Sequence, residues 1–362
     1  DPLCALPIRF LNQSSTRSRQ SNRLIWKWNA LMHTRRMQPE PPARELLRQL
    51  ATGNAVSGEA LATQLGVTRA AVWKQIAALR AMGLPIEARS RAGYRMPWPM
   101  QLLHLPSIAS KLGTAPDSPV HLYWELDSTQ DELARLLPDA PDLTVVLAER
   151  QTLGRGRRNH GWLSPPGLGI TLSCLKHFAG GPAVLSGLSI AMGVCVVQAL
   201  ASAGVPGLQL KWPNDVVADQ GKLAGILIEV SGEYDGPSVV RVGVGLNVRL
   251  SPAVLGQLDQ PATDLATLCG GTPPDRNELA ARVIEHLRTG LLRFEQEGLA
   301  PFAQDFAHMD WLAGKPLSVR GPHGMQSGIG HGIDARGALR VEIDGLMTSV
   351  YSDTVSVRPQ KG

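Results

Sequence analysis

From Ala43 onward, apolar positions fall at helical spacing. Leu46, Leu47 and Leu50 make one stripe ahead of the breaker Thr52-Gly53-Asn54, and Leu61 with Leu65 makes a second ahead of Gly66. A third helix opens at Thr68, whose hydroxyl suits an N-cap, and carries Val72, Ile76 and Leu79 toward Gly83. Two helices joined by a short turn at Gly66-Val67 predict a helix-turn-helix. The segment Ile86 to Met96, bearing Arg89, Arg91, Gly93 and Arg95, predicts a β-hairpin wing beside it.

Past the linker Pro97-Trp98-Pro99 the pattern alternates between the strand and helix periods. Strands are expected at His121–Leu126, Leu143–Glu149, Gly169–Leu175, Leu208–Trp212, Leu223–Val230 and Val239–Val248. Helices are expected at Ser128–Leu137, Val184–Ala203 and Arg276–Gln296, the last with Leu279, Val283, Leu287 and Leu291 at successive i+4 positions. From Trp311 only strands follow, at Leu317–Arg320, Gly328–Asp334, Leu339–Ile343 and Ser349–Val357. The chain therefore reads as α+β: a winged helix-turn-helix over 44–98, a mixed sheet with packed helices over 99–310, and a small β-barrel over 311–362. No charge occurs between His177 and Leu210, which invites a membrane span. Gly180, Gly181, Pro182, Gly193, Gly204 and Pro206 interrupt the stretch, so a helix buried in a core, and no membrane, is the expectation.

Charge sharpens the division. Residues 1–43 carry seven basic and two acidic side chains and residues 44–98 eight and three, so the net charge of +5 leaves residues 99–362 acidic in sum. A polyanionic partner belongs at the N-terminal side. Residues 1–43, rich in Arg, Ser and Gln and ending at Pro39, Pro41 and Pro42, read as a disordered leader. A transit peptide has similar composition, but Met37 stands just ahead of the first helical pattern, and an upstream or over-extended start explains the segment more simply. Cys4, Cys174, Cys195 and Cys269 form no C-x-x-C pair, which argues against structural zinc and for free thiols in the cytoplasm.

Three groups of residues could carry chemistry. Gly154-Arg155-Gly156-Arg157-Arg158 follows the strand ending at Glu149, where glycines allow a tight turn and guanidiniums can bind carboxylate and phosphate oxygens. A solvated basic turn fits the spacing equally well. Lys211-Trp212-Pro213-Asn214-Asp215, followed by Lys222-Leu223-Ala224-Gly225, sets two lysines, an amide and a carboxylate at the junction of two strands. Pro-Asn-Asp is also ordinary turn sequence. Asn247, at the end of a strand, is either a polar ligand for phosphate or a strand-end cap, and Ser128, Thr129 and Gln151 are weak signals singly. No Walker loop is present, and Gly243-Val-Gly245 lies within a strand pattern and is no dinucleotide fingerprint.

Taken together, these motifs resemble the bifunctional biotin protein ligases that also act as biotin-operon repressors, and the resemblance runs from about Ala43 to Lys361. It implies a ligase domain of the biotin/lipoate type and an SH3-like C-terminal barrel. It implies biotin and ATP as substrates, with Mg²⁺, joined as biotinyl-5′-adenylate before transfer to a lysine of an apo biotin carboxyl carrier protein. By position, Lys222, Arg157 and Asp215 are the catalytic residues. Ser128, Thr129, Gln130, Gln151, Arg155, Gly156, Arg157, Lys222 and Gly225 face biotin. Gly154, Arg155, Arg157, Arg158, Lys211, Asn214, Lys222 and Asn247 face the nucleotide, with Asn247 also toward Mg²⁺. Asn159 stands where Gly is frequent, and Ser251–Thr263 lacks the aromatic that some relatives set against adenine.

The N-terminal part supports the repressor half. Thr68, Arg69, Ala70, Trp73 and Lys74 are expected on the groove-facing side of the third helix, with Arg89, Arg91 and Arg95 of the wing near phosphates of operator DNA. Specific repression further implies a homodimer when the adenylate is bound. Two other functions remain in view: a biotin-sensing repressor without ligase activity, and a lipoate ligase on the same fold.

Overall fold

The structure is a computed structural model that describes residues 42–113, 118–137, 139–219, 221–232, 236–321, 324–351 and 356–359. The expected leader, apart from Pro42 and Ala43, lies outside the described residues.

Three helices, α1 (Pro42–Leu50), α2 (Gly58–Leu65) and α3 (Arg69–Ala81), and the hairpin β1 (Glu87–Arg89) with β2 (Gly93–Arg95) form the winged helix. Each break has a local cause. The Ser57 hydroxyl accepts from Ala60 N to start α2, Gly66 ends it at φ 63°, and Thr68 accepts from Ala71 N to start α3. Leu46, Leu47, Leu50, Leu61, Val72, Ile76 and Leu79 are buried together, as their spacing predicts.

A seven-stranded sheet follows: β3 (Val120–Leu126), β4 (Val145–Gln151), β5 (Gly169–Phe178), β6 (Gln209–Lys211), β7 (Asp215–Ala218), β8 (Gly221–Gly232) and β9 (Ser238–Asn247), in the order β3-β4-β5-β9-β8-β7-β6. Only β3 and β4 run parallel, since a helix must cross between them; all other neighbours are antiparallel. The helices are α4 (Leu105–Lys111), α5 (Thr129–Leu136), α6 (Leu188–Ser202), α7 (Pro252–Leu255), α8 (Leu265–Leu268), α9 (Arg276–Glu297) and α10 (Ala300–Met309). Strand alternation assigns the two faces. Val145, Leu147, Leu172 and Cys174 point into the large core under α6 and α9, whereas Val146 and Leu175 meet Leu133 of α5 on the other side.

The uncharged stretch is therefore a core helix. Pro182–Ser202 is long and apolar enough to cross a membrane, yet Ile190 to Val197 are buried in the same cluster as the sheet and α9. A Cβ at Gly290 would strike the Cys195 sulfur, so α9 needs glycine there to approach α6.

Barrel strands β10 (Pro316–Gly321), β11 (Gly324–Ile333), β12 (Leu339–Ile343), β13 (Leu346–Val350) and β14 (Ser356–Pro359) form an antiparallel sheet in the order β13-β12-β11-β10-β14. Leu317, Val319, Leu339 and Val341 join the core cluster of the ligase sheet, and Trp212 Nε1 donates to Gly337 O at 3.0 Å.

Several elements differ from expectation. Strand β7 is not among the expected strands, only its first residue, Asp215, being part of the expected Pro-Asn-Asp turn, because four residues are too few for a periodic signal. The helix expected from Val184 begins at Leu188, after a 3₁₀ turn over Pro182–Leu185 and Gly187 at φ 81°. The strand expected over Ser349–Val357 is two strands, β13 and β14, with 352–355 outside the described residues. Helices α4, α7, α8 and α10 were not anticipated; all but α10 are seven residues or shorter.

The winged helix is docked on the ligase domain. Val254 of α7 and Leu168 belong to the winged-helix core, and Ser251 Oγ donates to Gly83 O, just past α3, at 2.7 Å. The linker is held by a buried ion pair, Arg276 with Glu149 at 3.0 Å. Glu149 also accepts from Leu103 N and from Gly167 N, and Arg276 reaches Gln101 O and Gly169 O. Such a pair persists in a dry interior because nearly all of its remaining lone pairs and protons are satisfied, Arg276 Nε being the exception.

Candidate active site

Antiparallel register carries one row of residues across the sheet: Ala148 of β4, Thr171 of β5, Gly245 of β9, Gly225 of β8, Asp215 of β7 and Lys211 of β6. Residues in a row share a face, and Val239 on β9 shows that this is the face of α5. Gly243 and Gly245 therefore form a floor without side chains. A Cβ at Gly243 would come within 2.7 Å of Gln130 Nε2, and one at Gly245 would collide with the Trp162 indole. Sequence reading dismissed this Gly-x-Gly because it lies in a strand. Close approach by another group is the reason that strand interiors keep glycine.

Groups of opposite character flank the floor. Lys222 Nζ lies 2.8 Å from Asp215 Oδ1, with both side chains largely buried, and 5.6 Å from the centre of the Trp162 ring. The carboxylate contact is an ion pair without hydrogen-bond alignment at Oδ1. Gly225 makes room for the lysine stem, since a Cβ there would stand 3.2 Å from Nζ. The hairpin between β6 and β7 displays Asn214, which donates to Ile226 O at 2.8 Å and accepts from Arg157 Nη1 at 3.4 Å.

At the other end, Ser128 caps α5 by accepting from Gln130 N at 3.2 Å. Thr129 donates from its backbone to Gln151 Oε1 at 2.8 Å, and its hydroxyl lies 2.8 Å from Ser173 Oγ. Gln130 spends its amide nitrogen on Leu227 O and Arg241 O, at 3.1 and 3.3 Å, and leaves Oε1 buried without a partner. Such an acceptor suits an N–H of a ligand. Ser173 and Trp162 were missed by sequence reading, being placed by register and by loop closure.

Loop 154–162 folds back on itself, with Trp162 N bonded to Gly154 O at 2.8 Å and Gly156 N to His160 O at 2.7 Å. A Cβ at Gly154 would strike Trp162 O, so the turn requires glycine. Arg158 sits at the tip with φ 54°. Arg157 reaches across to the hairpin, but Arg155 turns to Asp131 and Glu229.

Asn247 donates to Lys222 O at 3.2 Å and Thr263 O at 3.1 Å. It ties β9 to the segment that follows Ser251, which itself pairs with Lys222 through Lys222 N to Pro261 O and Thr263 N to Lys222 O, both 3.0 Å. Lys211 shares the row, but its ammonium lies over the Trp311 ring, 5.5 Å from the centre, and Lys315 lies over the same ring at 3.9 Å.

On the winged helix, Arg69, Ala70, Trp73 and Lys74 are exposed on one side of α3, Trp73 at 65%. Thr68 is spent as the cap. Arg89 and Arg91 are exposed on the wing; Glu87 is bound by Arg95 at 2.8 Å and by Arg89 at 3.4 Å, and Arg95 foremost holds that carboxyl below the usual carboxylate range.

Comparison with known proteins agrees with this layout. Residues 43–95 match the family model described as HTH domain, and residues 125–247 match the biotin/lipoate A/B protein ligase family. The chain is 34% identical over 314 residues to bifunctional ligase/repressor BirA of Escherichia coli (strain K12), covering 87% of this chain and 96% of that one. It is 30% identical over 322 residues to the protein of the same name in Bacillus subtilis (strain 168), covering 86% and 97%. Among solved structures, biotin protein ligase from Aquifex aeolicus in complex with biotin and ATP superposes with a TM-score of 0.57 at 27% identity, covering 67% of this chain and 99% of that chain. A helix-turn-helix joined to a ligase of the biotin/lipoate type defines the class. The chain belongs to the bifunctional ligase/repressor family.

Proposed function

We propose that the protein joins biotin to a specific lysine of an apo biotin carboxyl carrier protein, through biotinyl-5′-AMP, and that its adenylate-bound homodimer binds operator DNA as a repressor. The observation that carries this reading is the pair Lys222–Asp215 on the glycine floor, faced by Arg157 at the hairpin and by the Thr129–Gln151–Ser173 cluster at the other end.

In the first step a biotin carboxylate oxygen attacks the α-phosphorus of ATP and pyrophosphate leaves. Both reactants are anions, so the protein's task is to cancel repulsion and stabilise charge on the phosphorus. Lys222 and Arg157 supply the cations. The Trp162 indole, packed directly on the glycine floor, offers an apolar surface to a ligand ring, and Gln130 Oε1 accepts from a ligand N–H. In the second step the carrier amine attacks the acyl carbon and AMP departs. An amine with pKa ~10.4 needs a proton acceptor near neutrality. Asp215 becomes that acceptor once Lys222 turns from it to the phosphate.

Mg²⁺ rides chiefly on nucleotide phosphates, and among the described residues no cluster of His, Cys, Asp or Glu could cage it. The residue that fits is Asn247, whose amide nitrogen is anchored by two carbonyls and whose oxygen is left for a metal-bound water. Bound there, the ion would offset charge on the phosphates. Cytoplasmic residence belongs to the same reading: Cys174 and Cys195 are free, and burial pushes both thiols up to about 12.

Incubation of the protein with Mg-ATP, biotin and an apo carrier domain, followed by intact mass, tests the proposal. A carrier heavier by one biotin less water is expected. No mass gain and no pyrophosphate, with biotin nevertheless bound, would leave the sensor without ligase activity.

A further inference from the structure

The linker between the winged helix and the ligase domain is tied at every residue from 100 to 104. Met100 N donates to Ala51 O, just past α1, at 2.7 Å, so the chain still belongs to the winged helix there. Gln101, the next residue, already belongs to the ligase domain. Its Nε2 donates to Asp275 Oδ2 at 2.5 Å, its Oε1 accepts from Arg276 N at 2.7 Å, and its carbonyl accepts from Arg276 Nη1. Leu102 O accepts from Asn277 Nδ2 at 3.4 Å, Leu103 N donates to Glu149, and His104 N donates to Asn277 Oδ1 at 2.7 Å. Upstream, the Arg249 guanidinium lies 4.7 Å from the centre of the Trp98 ring and donates to Gly271 O. Asp275, Arg276 and Asn277 stand at the start of α9, and Asp275 also caps that helix by accepting from Glu278 N at 2.8 Å. A hinge needs residues whose dihedral angles can change without breaking contacts, and residues 100–104 offer none.

We propose that Gln101 and Asp275 are positioning residues for operator binding: acting through the linker, they hold the winged helix in one orientation on the ligase domain, so that the separation of operator half-sites is read as well as their sequence. This rests on the repressor half of the proposed function and deepens it. In a dimer each winged helix meets one half-site, and a body without a hinge accepts only the separation that its own geometry presents. A mis-spaced operator must draw on the population whose linker has opened, and its affinity is reduced by that fraction. The buried ties at Glu149 and Arg276 keep the opened population small. Gln101 and Asp275 are both exposed, so their bond contributes modestly and can be altered without leaving a buried group unpaired. That makes the pair a means of adjusting the opened population while the fold stays intact.

The test uses full-length protein. Asp275→Asn keeps a capping oxygen for Glu278 N but turns an amide donor toward the Gln101 amide, and Gln101→Glu sets two carboxylates against each other. The two changes together restore the bond with donor and acceptor exchanged. Each single variant should speed chymotrypsin cleavage after Leu102 and Leu103 in native protein about three- to ten-fold, and the double variant should return it to the original rate. Carrier biotinylation and melting temperature should stay nearly unchanged in all three. The DNA arm uses duplexes with two inverted copies of the half-site that adenylate-loaded protein selects from random-sequence DNA, at the selected separation or shifted by half a helical turn, about five base pairs. The single variants should bind the selected separation almost as well as the unaltered protein and the shifted one about three- to ten-fold more tightly, and the double variant should restore the original contrast. Failure of the unaltered protein to select any DNA sinks the repressor reading and the operator role with it, while faster cleavage in the single variants would still show the latch. Unchanged cleavage in both single variants, no recovery in the double variant, or equal weakening at both separations would overturn the proposal itself.

Discussion

Lys222 does two jobs with separable atoms. Its backbone pairs with Pro261 and Thr263, while its ammonium faces Asp215 and the Trp162 ring. Lys222→Ala should therefore leave the strand and the melting temperature nearly intact yet lower pyrophosphate formation about 10²–10³-fold, as loss of one preorganised charge stabiliser does; a folded variant with normal pyrophosphate release would remove Lys222 from the mechanism. Arg157 meets the hairpin at Asn214 and closes the loop from the opposite side to Arg155. Arg157→Gly should let the adenylate escape, read as biotin appearing on lysines of unrelated proteins mixed with the enzyme. Strict carrier specificity in that variant would count against a ligand contact at Arg157.

At the scale of elements, the site exists because β5, β9, β8 and β7 bring Thr171, Gly245, Gly225 and Asp215 into one row. The floor is sensitive to a single methyl group. Gly245→Ala should displace the Trp162 indole and lower kcat/KM for biotin about ten-fold or more, since one added carbon in a pocket is worth that much discrimination. The expected signature is a rise in the KM for biotin with little change in thermal stability; an unaltered KM would show that Trp162 and the floor lie outside the biotin site. Elsewhere the elements mark their own ends through Ser57, Thr68 and Gly66. That autonomy explains why the helix-turn-helix was legible without its tertiary setting.

For the whole molecule, the docking of the winged helix matters most. Val254 and Leu168 of the ligase domain sit in the winged-helix core, and the segment from Ser251 to Thr263 links Gly83 at one end to the Lys222 backbone at the other. A protein beginning at Pro99 should lose operator binding, having shed the exposed face of α3, and should keep part of its ligation with a raised KM for ATP, because that segment loses its support. Gel shift and carrier biotinylation on the same preparation check both halves; retained operator binding would mean that the DNA surface has been misplaced. The same connection bears on the proposed dimer. Adenylate should order the segment and shift the population toward dimer only by its differential affinity for the two states. Sedimentation and operator titration, each with and without adenylate, should move together and reverse on adding apo carrier. An unchanged mass and operator affinity would leave two activities on one chain without coupling.

Much of this architecture was readable from local order. Helix stripes, N-caps and the charged hairpin depend on residues within about four positions of one another. The solvent-facing side of α3 and the order of Gly154-Arg155-Gly156-Arg157-Arg158 before Lys211-Trp212-Pro213-Asn214-Asp215 could thus be taken from the chain itself, and with them the family resemblance. What folding alone decided lies between distant segments. Ser173 meets Thr129, Trp162 covers Gly245, and Arg155 is claimed by Asp131 and Glu229, none of which has a short-range signature. Strand β7 is too short to announce itself, yet it carries Asp215 to Lys222. Register across a sheet is set by the burial of many side chains at once, so the neighbours it creates appear only after the chain has closed on its core.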